Sequence, residues 1–234
     1  SGYFDHYLFH LKHLYKKTGF QENLNFWKKY IKKFIRNPVL KNYKLFLNKP
    51  NFNEHVYDNT ENISEYLVDP EQGKFEEYKF SREQFSNRRL NEMFFEIVPA
   101  ILNNEDLNAM MFSIENRSPY LSKELFEIIY SIKPERLIQN GYSKNILRNN
   151  LKDILVEDVR TDRQKKGFNC SIKSLIKCQD SLTKEFLMDR KSKIFEFVDR
   201  KKFNKFLQSD LNENFKSKFL FSFLSSKIFL DNKF

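Results

Sequence analysis

The sequence has few cysteines and no long apolar run, and both absences limit the kind of protein it encodes. Its two cysteines, Cys170 and Cys178, are typical of a reducing compartment in which disulfides do not stabilise the fold. No stretch approaches the roughly 20 apolar residues that a membrane-spanning helix needs. Alternating apolar and polar runs are also scarce, which argues against a mainly β fold. We therefore expect a cytoplasmic, mainly α-helical protein without membrane contacts.

The composition indicates a folded chain with a real core. Among the 234 residues, 40% are hydrophobic and 26 are phenylalanine, whereas disordered chains contain few aromatics. The net charge of +10 favours contact with polyanions. However, the lysines are spread along the chain as doublets, such as Lys16-Lys17, Lys28-Lys29 and Lys201-Lys202. A basic helical module that binds nucleic acid or an acidic partner is the alternative from another functional class. Because the lysines are spread and not concentrated, nucleic-acid binding is not the function we expect.

Histidines near the start of the chain have the spacing of metal ligands, but the other ligand types of a metal site do not accompany them. His6, His10 and His13 follow one another at one-turn intervals on a helix. No third type of ligand accompanies them, and the spacing of the two cysteines matches no zinc pattern. We therefore predict one partly exposed helix face and no metal site.

Apolar periodicity predicts helices over most of the chain. We expect three regions: a helical start over 1–47, an irregular connector over 48–81, and a motif-bearing helical part over 82–234. The helical start is expected to contain helices over 3–17 and 23–36. Within the last part, one helix is expected to end at Pro99 and another to begin near Asn103, which would place early carboxylates at its positive end. Ser122 and Ser143 are predicted to cap the two helices that follow them. Asn140-Gly141 is expected to form the turn into the second of these, whose residues Ile146, Leu147, Leu151 and Ile154 are expected to face inward.

One run between Asn103 and Leu121 mixes carboxylates, an arginine and a proline. Pro119 disfavours a helical conformation at Ser118, so the chain should become extended there. An arginine before such a break can present its guanidinium sideways to a carboxylate. From the residues alone, we expect Arg117 to fix the bend by pairing with one of three carboxylates: Glu105, Asp106 or Glu115.

This run resembles a pattern of the glutamine-dependent asparagine synthetases, N-N-E-D-R followed by M-x-x-S-x-E-x-R-x-P-F-L-D. The matching positions are Asn103, Asn104, Glu105, Asp106, Met110, Ser113, Glu115, Arg117, Pro119 and Leu121. The chain departs from the pattern at Leu107, Tyr120 and Ser122, where the family has Arg, Phe and Asp. The joint loss of an arginine and an aspartate indicates a lost ion pair or altered packing.

Two further motifs of the family follow in order. A Gly-aromatic-Ser/Thr-Lys-x-x-Leu-Arg helix is matched by Gly141, Tyr142, Ser143, Lys144, Leu147 and Arg148. A loop resembling Arg-x-x-Lys-x-Gly-Phe is matched by Arg160 or Arg163 and then by Lys165, Lys166, Gly167 and Phe168. The family's catalytic lysine lies two places before the glycine, which is Lys165 here. The resemblance further implies a supporting site wall of Glu105, Asp106, Glu115, Arg117, Lys144, Arg163, Lys166 and Gly167.

The resemblance implies both the fold and the partners. The chain would be the helical C-terminal portion of an α/β ATP-pyrophosphatase synthetase domain. Gly2-Tyr3-Phe4-Asp5 resembles only the tail of an upstream acidic passage, and the family's pyrophosphate loop is not in this sequence. We therefore expect the glutaminase domain and the pyrophosphate-loop half to be partners supplied elsewhere. A homodimer is compatible with the resemblance.

The implied activity is ATP-dependent conversion of aspartate to asparagine through an acyl-adenylate, with ammonia derived from glutamine and with ATP and Mg²⁺ required. This chain by itself is expected to be inactive. An amidotransferase that acts on another carboxylate, such as a sugar uronic acid, is the alternative within the class, because fold and family do not fix the substrate.

Overall fold

The computed structural model describes residues 3–49, 63–70, 76–164, 172–209, 211 and 214–232. Most of these residues are helical, which confirms the predicted mainly α character, and β pairing among them is limited to two isolated bridges, Leu67–Val198 and Gln139–Tyr142. No described helix has the length and apolar character needed to cross a bilayer. By its internal contacts the chain forms two compact units, Ser1–Phe52 with Glu76–Lys166 and Asn53–Phe75 with Gly167–Phe234.

The described α-helices are numbered here in chain order. Those of the first unit are α1 (Phe4–Leu14), α2 (Phe20–Phe26), α3 (Tyr43–Asn48), α4 (Gln84–Phe94), α5 (Ile97–Met110), α6 (Lys123–Ser131), α7 (Asn145–Asn150) and α8 (Glu157–Thr161). Those of the second unit are α9 (Ile172–Leu175), α10 (Ser181–Leu187), α11 (Arg200–Leu207) and α12 (Asn214–Asp231). Short 3₁₀ turns cover Val39–Lys41, Pro119–Leu121, Pro134–Arg136 and Lys193–Glu196.

Helix α1 is the centre of the first unit. Eight of its eleven residues are buried, including both histidines of its first two turns, His6 and His10. The prediction of a partly exposed histidine face was therefore wrong for these two side chains. Because α1 packs against several elements, it buries most of its circumference instead of one stripe. The core around it contains Leu8, Phe9, Leu11, Leu24, Trp27, Ile31, Phe46 and Phe85.

The predicted helix over 23–36 is helical but not uniformly α. An α-helix over Phe20–Phe26 continues as a π-helical turn over Trp27–Ile31 and a 3₁₀ turn over Lys32–Phe34. This change of winding lets both Trp27 and Ile31 reach the core, where they are 1% and 0% exposed. A regular α-period would not show this change, since π-turns depend on packing.

The boundary between α4 and α5 was predicted wrongly. Pro99 lies in the first turn of α5 instead of ending α4. A proline is tolerated there, because the amides of the first helical turn have no intrahelical acceptor. Consequently Glu105 and Asp106 lie in the second half of α5, and they do not offset its N-terminal dipole.

The caps predicted on either side of the central motifs had different outcomes. The Ser122 hydroxyl accepts a hydrogen bond from the Leu125 amide at 3.2 Å and caps α6, as predicted. Ser143 does not cap α7, because Lys144 occupies the N-cap with a left-handed φ of 55°. The inward face predicted for this segment was also wrong in part, since Ile154 is 77% exposed and Leu147 is 39% exposed.

The second unit has its own aromatic core. Phe203 stacks on Phe223 with ring centroids 3.7 Å apart, and Phe206 and Phe219 meet edge to face. Aspartates cap its helices α10 and α11, since Asp180 accepts from the Thr183 amide and Asp199 from the Lys202 amide. Cys178 is buried in this core.

Candidate functional site

A cavity of about 690 Å³ lies in the first unit among α4, α5, α6 and the segment leading into α7. Its wall is mainly apolar, and Leu125, Phe126 and Ile129 of α6 line it. Small-molecule sites are typically apolar clefts of about 300–1,000 Å³ with a few polar groups. Here those groups include the His6–Glu92 pair, Arg89 and Lys144.

The cavity brings together parts of two of the predicted motifs. Tyr120 and Leu121 come from the first motif, and Ser143, Lys144 and Leu147 come from the second. Lys144 is therefore the predicted site residue that reaches this cavity. Its left-handed backbone sets the direction in which the chain enters α7.

The other predicted residues of the first motif lie on the surface. Arg117 donates to Glu115 through Nε at 3.0 Å and through Nη2 at 3.1 Å, so Glu115 is the partner among the three carboxylates considered. Ser118 has the non-helical backbone that Pro119 predicts. Both members of the pair are exposed, at 80% and 71%, and an exposed ion pair adds little stability. Glu105 and Asp106 are also exposed.

Exposed apolar side chains precede this surface pair in the sequence. Five apolar residues within the first motif are more than half exposed: Leu107, Met110, Met111, Phe112 and Ile114. We call these five side chains the motif surface. Leu107, Met110 and Met111 are three and four positions apart at the C-terminal end of α5 and therefore share one face, and an exposed apolar face is typical of a site of contact with another molecule or domain.

A tight turn orders the second motif. Asn140 and Gly141 both have positive φ, 51° and 74°, and the residues on either side of them exchange backbone hydrogen bonds at 2.8 and 3.2 Å. This is the geometry of a two-residue type I′ turn, for which Asn-Gly is the favoured sequence. The Tyr7 hydroxyl in α1 donates to the Gly141 carbonyl and accepts from the Ser143 amide, at 3.3 and 3.0 Å.

Two arginines fix the chain that leads towards the third motif. Arg148 donates to the Ser143 carbonyl at 3.0 Å, to the Val159 carbonyl at 3.3 Å and also to the Arg160 carbonyl. The Arg163 guanidinium lies between two tyrosine rings, 4.4 Å from the centroid of Tyr30 and 3.7 Å from that of Tyr142.

The contacts of Arg148 and Arg163 could be predicted only in part from the sequence. Arg163 is one of the two arginines that the loop motif offered, and Arg148 ends the preceding motif. The role of Tyr30 was missed, because nothing in its local sequence marks it. Lys165, Lys166 and Gly167, the centre of the predicted catalytic loop, lie outside the described residues.

A buried ionic cluster in the first unit was also missed. His6 Nε2 lies 3.0 and 2.9 Å from the two Glu92 oxygens. Arg88 donates to Glu77 at 2.7 Å and to Glu96 at 2.8 and 2.5 Å, and its Nε lies 3.5 Å from Glu92. These carboxylates hold the pKa of Arg88 above its usual range against the effect of its burial. Only the four-residue spacing of Arg88 and Glu92 could have signalled part of this network.

Among the described residues, Asp5, His6 and Glu92 form the one group that could hold a metal ion, with ligand atoms within 4.8 Å of one another. Mg²⁺ prefers octahedral oxygen ligands and retains several waters. This group includes an imidazole, is buried, and has Arg88 beside Glu92. It therefore does not fit Mg²⁺.

Two further histidines, His10 and His13, lie in the second half of α1. Burial lowers the pKa of His10 to about 4, and its Nε2 has no hydrogen-bond partner within the described part of the chain. One turn further, His13 Nε2 lies 2.7 Å from Glu135, and this hydrogen bond lowers the pKa of the Glu135 carboxyl to about 2. The His6–Glu92 pair, His10 and the His13–Glu135 pair all lie outside the predicted motifs, so we assign them to the stability of the unit.

Comparison with protein families identifies a match. The family model described as "Asparagine synthase" matches residues 4–230, nearly the whole chain. No curated protein and no solved structure matches the chain.

Proposed function

Because the chain belongs to the asparagine synthase family, we propose that it takes part in amidation of aspartate to asparagine, with glutamine as the nitrogen donor. The family implies ATP-dependent amidation in general. The observation that carries the proposal is the family match over residues 4–230, within which three motifs occur in the family's order.

The chemistry explains why a fixed cation is needed. The acceptor carboxylate attacks the α-phosphate of ATP, which forms an acyl-adenylate and releases pyrophosphate. Ammonia then attacks the acyl carbon, and AMP leaves with the bond electrons. Negative charge develops on phosphate and carbonyl oxygens in both steps, and a positioned cation stabilises it where water is excluded. We propose that Lys165 supplies this cation.

The described residues next to the loop support this assignment. Arg163 is clamped between Tyr30 and Tyr142, and Arg148 binds the carbonyls of Val159 and Arg160. The chain is thus anchored just before Lys165. We propose Gly167 and Lys166 as supporting members of the same loop.

We further propose a site wall formed by Lys144, from the large cavity, together with Glu105, Asp106, Glu115 and Arg117. The Glu115–Arg117 pair is accessible to a ligand, because both side chains are exposed.

The motif surface suggests where the rest of the synthetase would bind. Its exposed apolar side chains belong to the same motif as the exposed Glu115–Arg117 pair. We propose that this surface contacts the pyrophosphate-loop half of the domain, which would bring ATP and Mg²⁺ to the site, and that a glutaminase domain supplies ammonia. On this proposal residues 82–234 carry the motif-bearing part, and the chain alone releases no pyrophosphate from ATP.

The test measures aspartate-dependent release of pyrophosphate by the chain combined with an upstream synthetase half. Lys165→Ala should abolish release, whereas Lys201→Ala, at an exposed doublet of the second unit, should leave it unchanged. Circular dichroism of both variants reports folding. Normal release by the folded Lys165→Ala protein contradicts the assignment. Release with a uronic acid but not with aspartate would replace the proposed acceptor.

A further inference from the structure

We propose that the first unit carries a binding site for a small oxyanion of the phosphate type. The site is a second cavity, of about 150 Å³, between the Asn140–Gly141 turn, α7 and the end of α8. The inference concerns binding only and does not depend on the proposed amidation.

The wall of this cavity is polar and carries positive charge. Two arginines, Arg148 and Arg160, line it with four carboxamide side chains: Gln139, Asn140, Asn145 and Asn149. No aspartate or glutamate is among its lining residues. Arginine suits phosphate, because its guanidinium is always charged and carries several N–H donors.

The positive charge at the cavity is only partly balanced. Glu157 binds Arg160 through Nε and Nη2 at 2.7 and 2.6 Å. Arg148 forms no ion pair in the part of the chain that the structure describes, and its partners are three carbonyls. Arg163 lies close by on the Tyr142 ring and likewise has no carboxylate partner among the described residues. The two guanidinium groups that line the cavity are therefore balanced by a single carboxylate, that of Glu157.

Donors remain available for a ligand. Arg148 uses Nε and Nη1, and Arg160 uses Nε and Nη2, so each retains one guanidinium nitrogen without a hydrogen bond among the described residues. The carboxamides add neutral donors at the wall. An oxyanion bound here would satisfy these donors and offset the excess positive charge.

The size of the cavity selects the ligand class. Sites for drug-sized molecules measure about 300–1,000 Å³, and 150 Å³ is well below that range. The cavity therefore suits inorganic phosphate, pyrophosphate or the phosphate end of a nucleotide, with any nucleoside left outside.

The experiment is a calorimetric titration of the 234-residue chain with inorganic phosphate, pyrophosphate, ATP and adenosine. The phosphate-containing ligands should bind and adenosine should not. Equal affinity for pyrophosphate and ATP would identify the phosphate groups as the recognised part, whereas much tighter binding of ATP would show that the nucleoside also contributes.

Two neighbouring asparagines provide a matched pair of variants. Asn149 and Asn150 are both exposed on α7, but only Asn149 lines the cavity. Asn149→Asp places a carboxylate beside the ligand and should weaken pyrophosphate binding at least tenfold, whereas Asn150→Asp should change it less than about twofold. Arg160→Gln should also weaken binding. Absence of pyrophosphate binding by the unmodified chain, or equal losses in the two aspartate variants, overturns the proposal.

Discussion

His10 should make the first unit sensitive to mild acid. The side chain is 1% exposed in the middle of α1, and its ring meets Phe85 edge to face at 6.0 Å. Burial lowers its pKa from 6.5 to about 4, because the charged imidazolium would lose its hydration. The folded unit therefore requires the neutral form.

The direction and size of the effect follow from proton linkage. Below pH 6.5 the unfolded chain takes up a proton that the folded unit does not bind until about pH 4. The stabilising contribution of neutral His10 is thus fully present above pH 6.5 and is lost as the pH falls towards 4. Between pH 7 and 4.5 the loss amounts to about 2.5 kcal/mol of unfolding free energy.

The assay is urea unfolding followed by the fluorescence of Trp27. It is the single tryptophan of the chain and lies in the core of the first unit, so it reports on that unit. His10→Gln should lose about 2.5 kcal/mol less than the unmodified chain between pH 7 and 4.5. His13→Gln retains His10 and should keep most of the acid loss. An unchanged pH dependence in His10→Gln would refute the reasoning.

Three further substitutions test the packing described above. Arg88→Met should lower the unfolding free energy by about 3–5 kcal/mol, because it leaves buried carboxylates without their cation. Arg36→Met, at an exposed position, should change the unfolding free energy little. Similar urea midpoints for the two variants would contradict this expectation. Gly141→Ala should cost about 1–2 kcal/mol, because its φ of 74° is unfavourable for a side chain, and an unchanged melting temperature would show that the turn rearranges. Ser122→Ala should cost about 1 kcal/mol through loss of the α6 cap, whereas Ser122→Asp should restore most of it in thermal unfolding.

The order and character of the elements could be read from the sequence where the signals are local. Apolar periodicity identified most helices, Pro119 identified the break after Arg117, and Ser122 identified the cap of α6. Each of these effects acts over one helical turn or less, so neighbouring residues suffice to fix it. The motifs likewise identified the family, because they occur in one register along the chain.

The predictions that were wrong concern contacts between residues that are distant in sequence. Ser143 was a reasonable cap by its type, but Lys144 occupies the N-cap of α7, and the Ser143 amide donates to the Tyr7 hydroxyl, 136 positions away. The two turns that bring Trp27 and Ile31 to the core follow from packing against α1. No local rule contains such information.

By itself, the sequence determined a helix-rich chain of the asparagine synthase family and named Lys165 as the residue to test. Only the tertiary structure decided that His6 and His10 are buried, that Arg163 lies between Tyr30 and Tyr142, and that Arg148 and Arg160 share a small polar cavity. The reason is physical. Burial and charge balance are properties of side chains that the fold assembles from separate segments, and they do not exist until those segments pack.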